Sequence, residues 1–223
     1  MSIKYFFSDT NDGNLAYHVL DFKENVDKNR ENLALKWGYN NQDLVYMNQT
    51  HGNNVVIVDE NSPKIIEDCD AIITNAKNLP LMVMVADCIP ILLFDEKVGV
   101  IAAIHAGRNS TFLEIAKKTA DIFIEKFSSK PENISAILGP SIQKCCYEVN
   151  GELANIVKNS FGKEFVKQNH IDLQGINKKQ LNSLGIKNIE ISTICTKCSD
   201  KPYFSYRKDK KTGRFAGIIE LVE

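Results

Sequence analysis

Between Leu79 and Ala106 the chain runs through three short apolar stretches, Leu81–Val85, Ile89–Phe94 and Val98–Ile104, rich in β-branched residues and separated by only a few polar positions. Runs of this length bounded by turn signals read as buried strands. Asp95-Glu96-Lys97, between the last two, predicts a tight hairpin. With Glu96-Lys97 as a two-residue loop, Asp95 faces Val98 and Cys88 faces His105. Directly opposed residues share one face of a sheet, with Cβ atoms about 4.5–5.5 Å apart, and a one-residue slip would separate them. Glu-Lys is not among the favoured pairs for such a loop.

That pairing has a chemical consequence. Cys88 sits in Ala86-Asp87-Cys88-Ile89-Pro90, and His105 in Ile104-His105-Ala106-Gly107. A third residue of matching chemistry, His51, lies in Asn48-Gln49-Thr50-His51-Gly52, a turn between two strands. Two imidazoles and one thiolate suit a tetrahedral Zn²⁺ with an open fourth position, the pattern of a catalytic site. The ordinary reading of each alone is a hydrogen-bonded histidine or a buried thiol. Asp87 strengthens the metal reading, because a carboxylate within an apolar run needs a partner. A metal-bound histidine donating its second N–H would serve, and zinc would keep Cys88 deprotonated.

Elsewhere the pattern alternates. A helix is expected from about Phe22 to Leu35, then strands at Leu44–Met47 and Asn54–Val58. After His105 a helix is expected from Ser110-Thr111, with Thr111 and Glu114 at capping-box spacing and Phe112, Ile115, Ala116, Thr119, Phe123 and Phe127 at helical period. A strand at Ile134–Leu138, helices at Gly151–Lys167 and Asn177–Leu184 (the latter closed by Gly185), and strands at Ile189–Ile194 and Phe215–Val222 complete the chain. This alternation predicts an α/β fold with mixed sheets and outer helices, two sheets stacked face to face, in a single domain spanning residues 1–223.

Apolar residues make up 43% of the 223 positions, and 27 basic residues nearly balance 28 acidic ones. A net charge of −1 and a pI near 6.4 argue against nucleic acid or an anionic membrane as the main partner. No apolar run reaches the roughly 18–20 residues needed to span a bilayer, and the N-terminus lacks a signal-peptide pattern. A cytoplasmic protein with reduced cysteines is expected, as a monomer or small homo-oligomer.

Four further cysteines stand in two motifs. Adjacent Cys145 and Cys146 follow Gly139-Pro140-Ser141, with one of them, Cys145, a candidate for the pocket wall. Cys195-Thr196-Lys197-Cys198 is a CxxC, which suggests a zinc knuckle or a redox pair. A four-ligand zinc would need a second pair, and no second CxxC exists, so packing is the expected role. Near the end, Phe204-Ser205-Tyr206-Arg207 and Thr212-Gly213-Arg214 combine aromatic and guanidinium groups suited to stacking on a base and holding phosphate. Arg108, at the start of the helix after His105, adds charge where free N–H groups attract anions.

The sequence resembles the YfiH family, also called laccase-domain or polyphenol-oxidase-like proteins. The motifs are Gln-Thr-His-Gly at 49–52, Asp70-Ala71-Ile72-Ile73-Thr74, Ala86 to Asp95, His105-Ala106-Gly107, Cys195-Thr196-x-Cys198, Phe204-Ser205-Tyr206-Arg207 and Thr212-Gly213-Arg214. The resemblance covers about Asn14 to Ala216 and implies α/β/β/α layering with zinc held by His51, Cys88 and His105. It further implies enzymes of purine nucleosides: phosphorolysis of adenosine, inosine, guanosine and methylthioadenosine, and adenosine deamination. The partners implied are nucleoside and phosphate. Gln49 belongs to a family motif, and Arg30 matches a family position, so both join the substrate-binding candidates. Some bacterial members are linked to peptidoglycan precursor editing. Two motifs depart from the family: His-Ala-Gly-Trp-Arg-Gly becomes His105-Ala106-Gly107-Arg108-Asn109-Ser110, and Gly-Pro-Cys-Ile-Gly becomes Gly139-Pro140-Ser141-Ile142-Gln143.

On this reading His51, Cys88, His105 and Asp87 form the catalytic group. Arg30, Gln49, Arg108, Cys145, Arg207 and Arg214 are the substrate candidates. Three alternatives stand beside it. Cys88 could act as a nucleophile with His105 as base, a cysteine-type hydrolase. The metal could instead stabilise a binding module without catalysis. A copper polyphenol oxidase, the family's earlier label, needs several copper centres and many histidines, whereas the chain has four: His18, His51, His105 and His170.

Overall fold

The computed structural model describes residues 2–223. In chain order the elements are β1 (Ser2–Phe7), α1 (Lys23–Trp37), β2 (Val45–Met47), β3 (Val55–Ile57), β4 (Ile65–Ile66) and β5 (Ala71–Thr74). Next come β6 (Leu81–Val85), β7 (Ile89–Asp95), β8 (Val100–Ala106), α2 (Arg108–Phe112), α3 (Ile115–Phe127) and β9 (Ser135–Leu138). The last third holds α4 (Gly151–Ser160), β10 (Val166–Lys167), β11 (His170–Ile171), α5 (Leu173–Ser183), β12 (Asn188–Ile191) and β13 (Phe215–Val222). No helix among the described residues is long and apolar enough to cross a membrane.

Two mixed sheets carry the fold, one in the order β1-β13-β6-β2-β4 and one in the order β12-β9-β7-β8-β5-β3. Alternation along each strand sends side chains to both faces, and both faces are covered. Between the sheets, Ile72, Leu92, Ile101 and Ala103 meet Val45, Val83, Phe215 and Ile219. On the far side of the six-stranded sheet, Ile73, Ile91, Leu93 and Ile104 pack with Ile115 and Phe123 of α3 and Leu181 of α5. On the far side of the five-stranded sheet, Met82, Met84 and Ile218 pack with Leu33 and Ala34 of α1. The result is the expected α/β/β/α layering. Because both faces are buried, β6, β7 and β8 read as continuous apolar runs rather than alternating ones.

The central hairpin forms in a different register from the one the turn suggested. Asp95 pairs with Val100, and Pro90 with His105, so the loop has four residues, Glu96 to Gly99. Gly99 takes the left-handed conformation at φ 69°, and its N–H donates to the Asp95 carbonyl at 3.0 Å. The Asp95 carboxylate closes the loop by accepting the N–H groups of Lys97 and Val98. Glycine can hold that backbone at no steric cost, which a Glu-Lys loop could not. Cys88 therefore falls opposite Gly107, one step beyond the ladder, instead of opposite His105. The shift is two residues, and an even shift keeps a side chain on the same face. Cys88 and His105 still share the inner, inter-sheet face.

Other boundaries moved for local reasons. The helix after His105 is two helices, broken where Glu114 adopts φ 58°. Glu114 makes no side-chain capping bond, so the Thr111–Glu114 box does not form; Thr111 is instead buried, accepting a bond from Asn177. The helix expected to reach Lys167 ends at Ser160, shortly before Gly162 at φ 131°. The sequence pattern gives no strand for β1, β4, β5, β10 or β11. β5 is buried at every position and sits between β3 and β8, which places Asp70 at the head of a central strand.

Candidate metal centre

The loop between β2 and β3 brings His51 to the end of the sheet sandwich. His51 sits at φ 61°, a left-handed conformation in which histidine is enriched among non-glycine residues. The buried Asp70 carboxylate holds that loop, accepting the backbone N–H groups of Thr50 at 3.3 Å, His51 at 3.0 Å and Gly52 at 2.7 Å. The same carboxylate receives Nδ1 of His105 at 2.7 Å, and the His105 backbone N–H donates to the Asp70 carbonyl. One acid thus joins two histidines 54 positions apart in the chain.

A ring nitrogen of His51, a ring nitrogen of His105 and Sγ of Cys88 all lie within 4.8 Å of one another. Sγ of Cys88 is 4.0 Å from Nε2 of His51, and the two imidazoles meet edge to face with centroids 4.7 Å apart. Because Asp70 occupies Nδ1 of His105, the Nε2 atom is free to face the cluster. Gly107 completes the approach: a Cβ there would lie 3.1 Å from Cys88 Sγ and 3.1 Å from His51 Cδ2. Burial alone would raise the Cys88 thiol, but the His105 charge and hydrogen bonds from both imidazoles bring it down to about 6. His105, which burial would lower, is raised to about 9 by the Cys88 charge and the Asp70 bond. Asp70 is held below the usual carboxylate range; burial opposes this and the His105 and loop N–H bonds override it. Soft and borderline donors, preset deprotonation and an oriented ring fit a metal ion.

The three residues open onto a cleft of about 580 Å³. Its wall includes Met84, Asp87, Tyr147, Tyr206, Arg207 and Arg214, together with His18 and Gln49. Asp87 is present but not in the expected hydrogen-bonding role. Its carboxylate accepts the Thr196 hydroxyl and the Arg207 backbone N–H, both at 2.7 Å, and touches neither imidazole. The carboxylate that orients a histidine is Asp70, which the sequence reading passed over. The signal was available in principle: an acid leading a fully apolar Ala71-Ile72-Ile73 strand must find a partner.

The substrate candidates divide. Arg207 stacks over the Tyr147 ring at 4.9 Å and donates to the Glu148 carbonyl at 3.0 Å. Arg214 donates to the carbonyls of Thr212 and Gly213. Gln49 borders the cleft, yet its side-chain amide pairs with Met84 like a strand residue, with bonds of 2.8 and 2.9 Å. Arg30 is buried between the rings of Tyr17 and Tyr46 and bonds the Leu15 carbonyl, outside the cleft lining. Arg108 lines a neighbouring depression with Asn109, Phe112 and Asn150. Cys145 is also outside the cleft; it joins Cys146, Cys195 and Cys198 in a second sulfur cluster. Sequence spacing shows no second pair for the CxxC, and the fold brings Cys145 and Cys146 to it.

The chain matches known proteins along most of its length. A family model described as multi-copper polyphenol oxidoreductase laccase matches residues 5–222. A purine nucleoside phosphorylase of Campylobacter jejuni is 38% identical over 193 residues, covering 86% of this chain and 83% of its own. One of Corynebacterium glutamicum is 36% identical over 214 residues, 93% of this chain and 86% of its own. Among solved structures, the hypothetical protein YfiH of Bacillus licheniformis superposes with a TM-score of 0.92 at 29% identity, covering 98% of this chain and 92% of its own. YlmD of Geobacillus stearothermophilus gives 0.88 at 26% identity, with coverage of 94% and 85%.

Proposed function

The chain belongs to the family described as multi-copper polyphenol oxidoreductase laccase, the YfiH-like proteins, and on that basis we propose that it is a zinc-dependent enzyme of purine nucleosides. The observation that carries the reading is the convergence of His51, Cys88 and His105 in the lining of a cleft that Arg207 and Arg214 also line. Relatives whose name is purine nucleoside phosphorylase cover most of the chain. The reaction proposed is phosphorolysis of adenosine, inosine, guanosine or methylthioadenosine, with adenosine deamination at the same site.

His51, Cys88 and His105 would hold the ion. When bound, zinc supplies Lewis acidity toward an anionic oxygen, a service that both phosphate attack and water attack require. The protein's own groups do the rest. Arg207 and Arg214 offer guanidinium donors suited to a phosphate dianion. The rings of Tyr147 and Tyr206 and the side chain of Met84 give apolar surface for a purine. In phosphorolysis a phosphate oxygen bonds to the ribose carbon as the glycosidic C–N bond breaks, and the base leaves with a proton. In deamination a water oxygen adds to the purine carbon and ammonia leaves. Asp87, with both carboxylate oxygens occupied, acts as a positioning residue for Arg207 and the Thr196 loop.

The test pairs metal analysis of the purified protein with chromatography of the four nucleosides incubated with and without phosphate. The expected results are bound zinc, free base with ribose 1-phosphate (5-methylthioribose 1-phosphate from methylthioadenosine) only when phosphate is present, and inosine from adenosine without it. Absence of both metal and product would sink the proposal. Copper in place of zinc would overturn the metal assignment. Turnover that survives chelation but not iodoacetamide would assign Cys88 as a nucleophile instead, a reading that its lowered thiol makes chemically reasonable. Unfolding on metal removal without any turnover would assign a metal-stabilised binding module.

A further inference from the structure

We propose that Cys145, Cys146, Cys195 and Cys198 form a second metal site, a four-thiolate site for zinc that clamps together the two loops forming one wall of the cleft. The four sulfurs lie within 4.8 Å of one another, and Cys145 Sγ stands 3.6 Å from Cys198 Sγ. A tetrahedral zinc with Zn–S bonds of about 2.3 Å spaces its sulfurs about 3.8 Å apart, so the cluster is close to the size a zinc ion needs. The same spacing is far outside a covalent S–S bond of about 2.05 Å, and all six cysteines are free.

Packing does not account for the group. Unbonded cysteines are normally among the most buried residues, whereas Cys145 and Cys198 are exposed, Cys146 is half-buried and Cys195 alone is buried. The local backbone is built for the convergence. Cys146 and Tyr147 both donate N–H groups to the Gln143 carbonyl, winding the Cys145-Cys146 segment into a turn. The Gln143 N–H in turn donates to Cys195 Sγ at 3.5 Å, a bond to sulfur of the kind that favours thiolate. The CxxC supplies the other pair of sulfurs, as in zinc knuckles. Lys144 and Lys197 flank these sulfurs in sequence. Loading zinc releases the protons still held by the four thiols, and no oxidant or reductant is needed.

The location explains what such a clamp would do. One loop runs from Gly139 through Tyr147 of the cleft wall; the other carries Thr196, Tyr206 and Arg207 and is irregular from Ser192 to Arg214. They already touch through Ser141 and Cys195 and through Ser141 and Thr196, while Asp87, outside both loops, binds Thr196 and Arg207 of the second. A metal bridging positions 145–146 to 195–198 would hold Tyr147 beneath Arg207.

The experiment measures zinc per chain in reduced wild-type, Cys88→Ala and Cys145→Ser/Cys198→Ser proteins, then titrates cobalt(II) into Cys88→Ala protein. The expected results are two equivalents in wild type and one in each variant. Cobalt should give the intense thiolate charge-transfer and visible bands of a tetrahedral four-sulfur site, lost when Cys198→Ser is added. A single equivalent that disappears with Cys88→Ala overturns the second site. A single equivalent that survives Cys88→Ala and disappears with Cys145→Ser/Cys198→Ser upholds it and counts against the His51–Cys88–His105 zinc. If either variant does not fold, cobalt(II) in wild type decides: the charge-transfer intensity of a four-thiolate site upholds the second site, and its absence overturns it. Thiol titration showing disulfides in the freshly isolated metal-free protein, or iron at this site, overturns the assignment to zinc.

Discussion

The Asp70 carboxylate receives Nδ1 of His105 at 2.7 Å while three backbone N–H groups of the His51 loop point at the same group. It sets the tautomer of one metal-competent histidine and the position of another, and it is fully buried. Carboxylates that orient metal-bound histidines are worth about 10–100-fold in metal affinity. Asp70→Asn is expected to weaken metal binding by that amount, read by competition with a chromogenic chelator. Unchanged affinity would remove Asp70 from the site's construction.

Gly107 has an ordinary extended backbone, φ −72° and ψ −179°, so alanine meets no conformational barrier there. Its cost is spatial, because the new methyl lies 3.1 Å from both Cys88 Sγ and His51 Cδ2. Overpacking by one methyl costs about 1–3 kcal/mol, which in a binding site is about fivefold to 150-fold in affinity. Gly107→Ala is expected to weaken metal binding by that factor, with a smaller drop in the melting temperature of the metal-free protein, where the two side chains are free to move apart. Equal loss of both would point to a general packing defect.

Asp87 combines strain with satisfied hydrogen bonds. It holds φ 86° and accepts the Thr196 hydroxyl and the Arg207 N–H. Asp87→Ala keeps the strained backbone, about 1–2 kcal/mol, and leaves the two donors unpaired at about 1–3 kcal/mol. Asp87→Gly leaves the same two donors unpaired but relieves the strain. Urea unfolding should therefore rank wild type above glycine and glycine above alanine, with a gap of about 1 kcal/mol between the variants. Alanine equal to glycine would show that the backbone is unstrained.

Glu220 supplies a pH-dependent case away from the metal centre. It is buried on β13 opposite Lys4 of β1, and burial raises its carboxyl above the usual value, with Lys4 opposing. An acid raised in the folded state penalises folding where it must ionise. The penalty is absent below the unfolded value, near 4.5, and complete above the folded one. Glu220→Gln should stabilise the protein at pH 7, and the gain should shrink toward zero near pH 4. Denaturant midpoints at the two pH values check it; a gain that grows on acidification would reverse the sign.

Local pattern carried a large part of this protein. The apolar runs of β6, β7 and β8 were legible because burial on both faces leaves a continuous hydrophobic signature. His51, Cys88 and His105 were legible as donors, and the shared face of Cys88 and His105 survived a wrong loop length because face depends only on parity. What pattern could not encode was closure across distance. Asp70 reaches His105 across 35 positions, and Cys145 reaches Cys198 across 53, through pairings of β5 with β8 and of two irregular loops. Sequence by itself determined which groups were chemically able to hold a metal and on which face they lay. The tertiary structure alone decided which of them met, because contacts between distant segments are set by strand order and loop closure, to which periodicity along the chain is blind.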